Sequence, residues 1–249
     1  MAQRVAVILA AGKGTRMKSD LAKVLHPFLG RPLVTYPVRA ALDAGAERIV
    51  VVTGHQESAV QQAVLSTQGL APETVRFAHQ AQQNGTGHAV LSALSEVPND
   101  PSQVWILSGD TPMVQPATLE AVATSARDSG AGLCITSLHA EGPTGYGRIL
   151  RDDRGRPRCI REERDCTEEE AGVTECNAGL YCARASDLHS ELRTLGSANA
   201  QGEIYLTDLV EVRARHGEVA VFAMDPIEAS GINTPQQLEA LEREARAPR

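Results

Sequence analysis

VAVILAAGKGTRMKSDLAK, residues Val5–Lys23, opens with a run of apolar side chains from Val5 to Leu9. Such a run suits a strand buried on both faces, as in a parallel sheet. It then turns through Ala10, Ala11, Gly12, Lys13 and Gly14. Small residues there let the backbone approach a ligand, and closely spaced N–H groups can cradle a phosphate. Lys13, Arg16, Lys18 and Lys23 surround the turn with positive charge in a chain whose net charge is -7. A local cationic site on an acidic protein points to a small anionic substrate and away from a nucleic-acid surface. Two familiar phosphate patterns are excluded. No G-x-x-x-x-G-K-[ST] segment occurs, and the G-x-G-x-x-G pattern begun at Gly12 and Gly14 ends on Met17. The spacing alone also fits an ordinary strand-to-helix connection with solvated lysines.

The chain's 249 residues can bury a large core, as one domain or two. Its 42% hydrophobic content is globular, and with 3% aromatics the core must rest on Val, Leu, Ile and Ala. No apolar run approaches the ~20 residues of a membrane span. Met1-Ala2-Gln3-Arg4 leads straight into the first strand, so no signal peptide is expected. The five cysteines are odd in number and lack a C-x-x-C pair. A disulfide framework or structural zinc site is not expected, a reducing cytoplasm fits best, and no cysteine sits in a nucleophile setting.

Downstream, Pro32 suits a first helical position, with a helix over Leu33–Ala44 closed by Gly45 and Pro37 near its start. Strands are expected over Arg48–Thr53, Val75–Ala78, Val104–Leu107 and Gly132–Ser137, and helices over Glu57–Leu65, Gly85–Leu94 and Pro116–Ser129. This alternation predicts an α/β fold, a mainly parallel sheet with helices on both faces. Ligands in such sheets bind at the carboxyl ends of the strands, which places the loops at 10–14, 80–87 and 108–112 along one edge. Beyond His139 the pattern changes. A hairpin is expected at 149–161, a solvated charged loop at 162–170, and a strand over Thr174–Ala183 interrupted at Asn177-Ala178-Gly179. Helices over Ser186–Leu195 and Leu206–Arg215 (capped by Thr207 or Asp208), a strand over Glu218–Ala223 and an amphipathic helix over Pro235–Arg246 complete the chain. The reading is one sheet-centred domain, 1–249. A nucleotide-binding half covers roughly 1–138, and the rest, 139–249, carries a small β-rich sugar-binding insertion and the C-terminal helices.

Eight motifs stand in order: LAAGKGTRM (Leu9–Met17) with Lys23-Val24-Leu25, QNGTGHA (Gln83–Ala89), GDTP (Gly109–Pro112), PTGYGRI (Pro143–Ile149), IREERD (Ile160–Asp165), NAG (Asn177–Gly179), NAQGEIYLTD (Asn199–Asp208) and GIN (Gly231–Asn233). Together they closely resemble the uridylyltransferase domain of bacterial bifunctional N-acetylglucosamine-1-phosphate uridyltransferases, over nearly the whole chain. LAAGKGTRM marks the wider sugar-nucleotidyltransferase superfamily; PTGYGR and NAQGExYxTD are more specific. The resemblance implies a Rossmann-like twisted sheet, the nucleotide-diphospho-sugar transferase fold. That family continues into a left-handed β-helix acetyltransferase of hexapeptide repeats, absent from this sequence, so acetyl transfer and the trimer built by that half are not expected. Ser108 stands where the family commonly has an aromatic, and Ala178 where Thr is common, so both bear on substrate specificity.

The implied reaction is attack by the phosphate of N-acetylglucosamine 1-phosphate on the α-phosphorus of UTP. The nucleophile needs no activation by Ser or Cys, and positioning and electrostatics carry the acceleration. By resemblance, Leu9, Ala10, Ala11 and Gly12 hold the uridine end, Arg16 stabilises the β/γ-phosphates, and Lys23 contacts the α-phosphate. Gln80, Gly85 and Thr86 resemble uracil-reading positions, and Ser108, Gly109 and Asp110 line the nucleotide. Asp110 and Asn233 resemble Mg²⁺ ligands, a hard-oxygen pair that substrate phosphates would complete. Gly145, Glu162, Asn177 and Asn233 resemble sugar-binding positions. Tyr205 and Thr207 flank that pocket or pack beside it. Glu163 is expected to face solvent, and His55 and His88 read as loop and helix-surface residues. The expected partners are therefore small molecules, with no nucleic acid and no membrane, in the cytoplasm. Two other readings share these residues: a nucleotidyltransferase for another nucleotide and sugar 1-phosphate, and a sugar-nucleotide-binding regulator without turnover.

Overall fold

The computed structural model describes residues 3–100, 102–217 and 219–247. The opening run forms β1 (Arg4–Leu9), whose residues alternate between two buried layers: Val5 and Val7 face one, Ala6 and Ile8 the other. A two-residue hairpin of β2 (Pro27–Phe28) and β3 (Arg31–Pro32) precedes α1 (Thr35–Asp43). Pro32 is therefore paired with Pro27 and is not the first residue of the helix, which starts later than the sequence suggests. Leu29 and Gly30 both adopt positive φ (47° and 84°), the geometry of a two-residue hairpin turn whose first position rarely carries Leu. Pro37 falls in the first turn of α1, where its missing N–H leaves no helical bond unmade.

β4 (Arg48–Thr53), α2 (Glu57–Leu65), β5 (Val75–His79), α3 (Thr86–Ala93), β6 (Gln103–Ser108), α4 (Pro116–Asp128) and β7 (Leu133–His139) follow the predicted alternation. The β8 (Arg148–Arg151) and β9 (Pro157–Arg161) hairpin comes next. The stretch expected to be a solvated loop holds a short helix, α5 (Glu168–Ala171), because Thr167 and Glu170 form a reciprocal capping box. β10 (Glu175–Arg184), α6 (Ala185–Glu191), α7 (Asp208–Ala214), β11 (Val219–Ala223) and α8 (Pro235–Arg246) complete the chain; the expected first residue of the last strand, Glu218, lies outside the described residues.

The central sheet runs β11-β7-β10-β6-β1-β4-β5, with β8–β9 hung off β10. Every pairing along it is parallel except those of β10, which is antiparallel to both β6 and β7. β10 and β11 come from the second half of the chain, so one sheet spans both halves. Helices α1, α2 and α4 cover one face through Val38, Val60, Val64, Leu119 and Val122. The other face is covered by α3, α6 and α7 through Val90, Leu188, Leu209 and Val210. From β1 the strand order runs out through β4 and β5, then returns to β6 on the other side. This reversal opens a crevice at the carboxyl ends of β1 and β6. Among the described residues no helix is long and apolar enough to cross a membrane.

Candidate functional site

The crevice at the ends of β1 and β6 is built first from backbone. Gly109 N–H donates to Leu9 O at 2.9 Å, and Ala10 N–H to Val52 O at 2.9 Å, so the turns after β1, β4 and β6 are tied together. A Cβ on Gly109 would press on Leu9 O at 2.9 Å, so only glycine permits this approach. Ala10 and Ala11 are buried, whereas Gly12 is exposed with open space around a hypothetical Cβ, as a backbone meeting a ligand requires.

Beyond Gly12 the chain takes a short turn. Gly14 has φ 71°, and any side chain there would collide with Lys23 Cβ. Met17 drops into a small core with Phe28, Leu33, Ile232 and Leu241, a burial worth roughly 1.5–3 kcal/mol. That core seats α8 under the basic loop and brings Gly231-Ile232-Asn233 beside it. Ile232 N–H donates to Asp110 O at 3.0 Å, which fixes the register of the two loops.

Four of the predicted residues converge here. Lys23 Nζ forms an ion pair with Asp110 Oδ2 and donates to Asn233 Oδ1 at 3.0 Å. Arg16 donates to the same Asn233 oxygen at 2.9 Å. Arg16 is exposed, Lys23 half-buried and Asp110 buried. Lys13 and Lys18 are exposed nearby. Asp110 and Asn233 thus present two hard oxygens to one cation, here the Lys23 ammonium. Among the described residues there is no group of three or more His, Cys, Asp or Glu that could hold a metal ion. A carboxylate and an amide oxygen are the hard donors that a divalent ion takes, too few by themselves to complete its shell.

One contributor carries no motif. Gln56, at φ 52°, clamps the segment ahead of Lys23: its Oε1 accepts from Ala22 N–H at 2.9 Å and its Nε2 donates to Asp20 O at 2.8 Å. The contact spans 34 residues, so no local pattern announces it.

The predicted base-side residues form a second group. Gln80 is buried, and its Nε2 lies 3.1 Å from both Gly85 O and His88 Nδ1. His88 therefore faces a buried partner, contrary to the surface reading. Gln83 donates to Ala11 O at 2.6 Å and lies over the first loop. Gly85 (φ 102°) and Gly87 pack so tightly on Ile204 that a Cβ on either would clash. The NAQGEIYLTD segment acts as a strap. Ile204 N–H donates to Asn84 O at 2.8 Å, and Leu206 N–H to Thr86 Oγ1 at 3.0 Å.

The strap continues to the third group. Thr207 donates to Glu162 Oε1 at 2.9 Å, and Ala200 N–H to Asp165 Oδ1 at 2.8 Å. Glu162 is half-buried, and burial pushes its carboxyl above the usual range, with Asp208 and Asp165 adding to the rise and Thr207 opposing it. Glu163, by contrast, is exposed. β10 carries a register shift between Asn177 and Tyr181, the mark of a bulge. The Asn177 Nδ2 donates to Tyr181 Oη at 2.6 Å and its N–H to Gly147 O at 2.9 Å. Gly145, at φ 85°, is exposed with open space around a hypothetical Cβ, as at Gly12. It is Gly147 whose hypothetical Cβ would meet Glu162 Oε2 at 3.5 Å. Both glycines lie in one PTGYG motif, and only the bend of the chain tells them apart. Tyr181 was also missed: burial, then the Glu162 charge, raise its pKa and keep the hydroxyl protonated.

Ser108 and Ala178 line one small cavity, together with Thr111 and Leu180, between the β6 turn and the β10 bulge. All five cysteines are free thiols, and burial pushes Cys134 up to about 11.

Residues 6–203 match the family of MobA-like NTP transferase domains. The chain is 50% identical over 238 residues to a protein named bifunctional protein GlmU from Anaeromyxobacter sp. (strain K), covering 96% of this chain and 48% of that protein. It is 45% identical over 248 residues to the protein of the same name from Geobacter metallireducens, covering 99% and 51%. A third, from Trichlorobacter lovleyi, is 47% identical over 240 residues, covering 96% and 51%. The chain thus spans about half the length of the curated relatives it matches.

Proposed function

Because the chain belongs to the MobA-like NTP transferase domain family, we propose that it transfers UMP from UTP to N-acetylglucosamine 1-phosphate, forming UDP-N-acetylglucosamine and pyrophosphate. The observation that carries this reading is the meeting of Arg16, Lys23, Asp110 and Asn233 at the carboxyl ends of β1 and β6. The choice of base and sugar is supported by the eight ordered motifs and by the identity to proteins named GlmU.

In this reaction an oxygen of the sugar phosphate attacks the α-phosphorus, one P–O bond forms, the α–β bridging bond breaks, and pyrophosphate departs. The barrier is repulsion between two polyanions and the charge gathering on the leaving group. The turn from Gly12 to Arg16 wraps the triphosphate. Arg16 holds the β- and γ-phosphates as pyrophosphate leaves. Lys23, released from Asp110, meets the α-phosphate where charge builds, an interaction strongest in the transition state. Asp110 and Asn233 would hold Mg²⁺, which when bound would supply positive charge against the phosphates and the leaving group. Gln80, Gly85 and Thr86 read the base. Glu162 accepts hydrogen bonds from sugar hydroxyls, and Asn177 serves the acetamido side. The product of this reaction is a precursor for cell-envelope polysaccharide, made in the cytoplasm.

The test is pyrophosphate release from UTP, Mg²⁺ and N-acetylglucosamine 1-phosphate, with each component omitted in turn. Steady release that needs all three is expected; silence, or release without the sugar phosphate, overturns the assignment.

A further inference from the structure

Gln80, the base-side amide, is paired with His88, whose ring nitrogen lies 3.1 Å from it. Gln80 is 5% exposed, and its backbone is fixed by donation from its N–H to Thr53 O at 2.8 Å. One terminal atom of its amide faces two groups, Gly85 O and His88 Nδ1, each at 3.1 Å. A carbonyl oxygen only accepts, so the atom facing it is the NH₂. Both amide hydrogens are then spent, one on Gly85 O and one on His88. The imidazole must accept at Nδ1 and carry its own proton on Nε2. The amide oxygen is left over, with no hydrogen bond from the protein among the described residues, and the Gly85 N–H likewise has no protein acceptor among them.

An acceptor and a donor on neighbouring groups match the uracil edge, which offers N3–H and O4. Cytosine offers the reverse, a bare N3 and an N4 amine. We propose that His88 is a specificity-determining positioning residue: by accepting from Gln80 it locks the amide with its oxygen toward the base, and so selects uracil over cytosine nucleotides. The inference rests on the reading that the base sits against Gln80 and Gly85.

His88 acts through Gln80, so its signature is a ratio and not a rate. Gly85 O still favours the same amide orientation without His88, so the expected change is one neutral hydrogen bond's worth of orientation, about fivefold to tenfold. The experiment is calorimetry of UTP and CTP with Mg²⁺. Inactive protein lowers the stoichiometry but leaves the ratio of Kd values intact. His88→Phe, which fills the space without an acceptor, should lower the preference for UTP by about fivefold to tenfold. His88→Asn, whose Oδ1 can take the place of Nδ1, should restore most of it. An unchanged ratio in His88→Phe, or equal loss in both variants, overturns the role of His88. Gln80→Ala separates the two levels. If it abolishes the preference while His88→Phe does not, only the His88 inference falls. If it too leaves the ratio unchanged, the base is not read at Gln80, and both readings fall.

Discussion

The two ends of the cleft reach readiness by different routes. At the carboxyl ends of β1 and β6 full charges dominate: Lys23 pairs with Asp110, and the Arg16 guanidinium donates to the neutral Asn233 amide oxygen, on loops clamped by backbone bonds. Around the β8–β9 hairpin and the β10 bulge the groups are quieter. Glu162 is held by a hydroxyl and pushed toward its neutral form by burial, and Asn177 leans on the phenol of Tyr181. The first end suits a polyanion whose charge changes during reaction. The second suits a neutral sugar that must be recognised and held. The charged end should therefore govern turnover, and the quiet end should govern affinity.

The largest test of that division is Lys23→Ala. Loss of one donor aimed at developing charge costs about 10²–10³-fold in kcat. KM for either substrate should change far less. A variant whose KM alone rises would show uniform binding by Lys23 and collapse the distinction. Asp110→Ala belongs beside it: a Mg²⁺ titration that still stimulates turnover as in the parent would remove Asp110 from the metal site.

A glycine pair asks whether the charged end depends on geometry as well as charge. Gly14→Ala forces a Cβ against Lys23 at a positive φ of 71°, while the space around Gly12 is open. Displacing a catalytic group by an ångström costs about 10²-fold. Gly14→Ala should thus lose about 10²-fold in kcat and also lower Tm. Gly12→Ala should keep Tm and weaken UTP binding instead. Equal Tm losses in both would show that the turn tolerates neither.

Much of the charged end was legible because its signals are local. An apolar run, a small-residue turn and a Gly-Asp at a strand end place Leu9–Lys23 and Asp110 without any knowledge of tertiary contact. The quiet end is assembled across distance: Thr207 reaches Glu162 over 45 residues. Gln56, His88 and Tyr181 carry no composition signal for their roles, since any Gln, His or Tyr on those elements would read the same. The β2–β3 hairpin escaped for a related reason. Pro32 fits a helix start by propensity, and only the pairing with Pro27 draws it into a strand. The reversal of β10 was equally hidden, because a buried strand reads alike in either direction.

Glu162→Gln probes the quiet end with a smaller effect and a definite pH dependence. Burial raises the folded pKa of Glu162 above the unfolded one. Its proton is thus bound more tightly in the folded protein. The stability this provides is complete below the ordinary carboxylate range and is lost as pH climbs through the raised folded value. A neutral amide escapes that loss. Glu162→Gln should raise Tm at pH 8 and give no gain at pH 4, and a gain that grew toward low pH would reverse the sign. KM for the sugar phosphate should rise about tenfold, toward the upper end of the range for a single hydrogen bond, with UTP unaffected.

Tyr181→Phe should be the mildest change and the most discriminating. The phenol accepts from Asn177 at 2.6 Å and stays protonated, so it can hold Asn177 while donating onward. Removing the hydroxyl leaves the packing of the ring intact and leaves the Asn177 amide held through its Oδ1, which accepts from Gly179 N–H at 3.1 Å. One neutral hydrogen bond of about 1 kcal/mol corresponds to roughly a fivefold rise in KM for the sugar phosphate. Neither kcat nor KM for UTP should move, because the proposed reaction places its phosphates at Arg16 and Lys23. Steady-state kinetics with each substrate varied in turn reads all three constants. A fall in kcat would carry Tyr181 to the charged end, and the separation of turnover from affinity along the cleft would no longer follow the separation of full from muted charge.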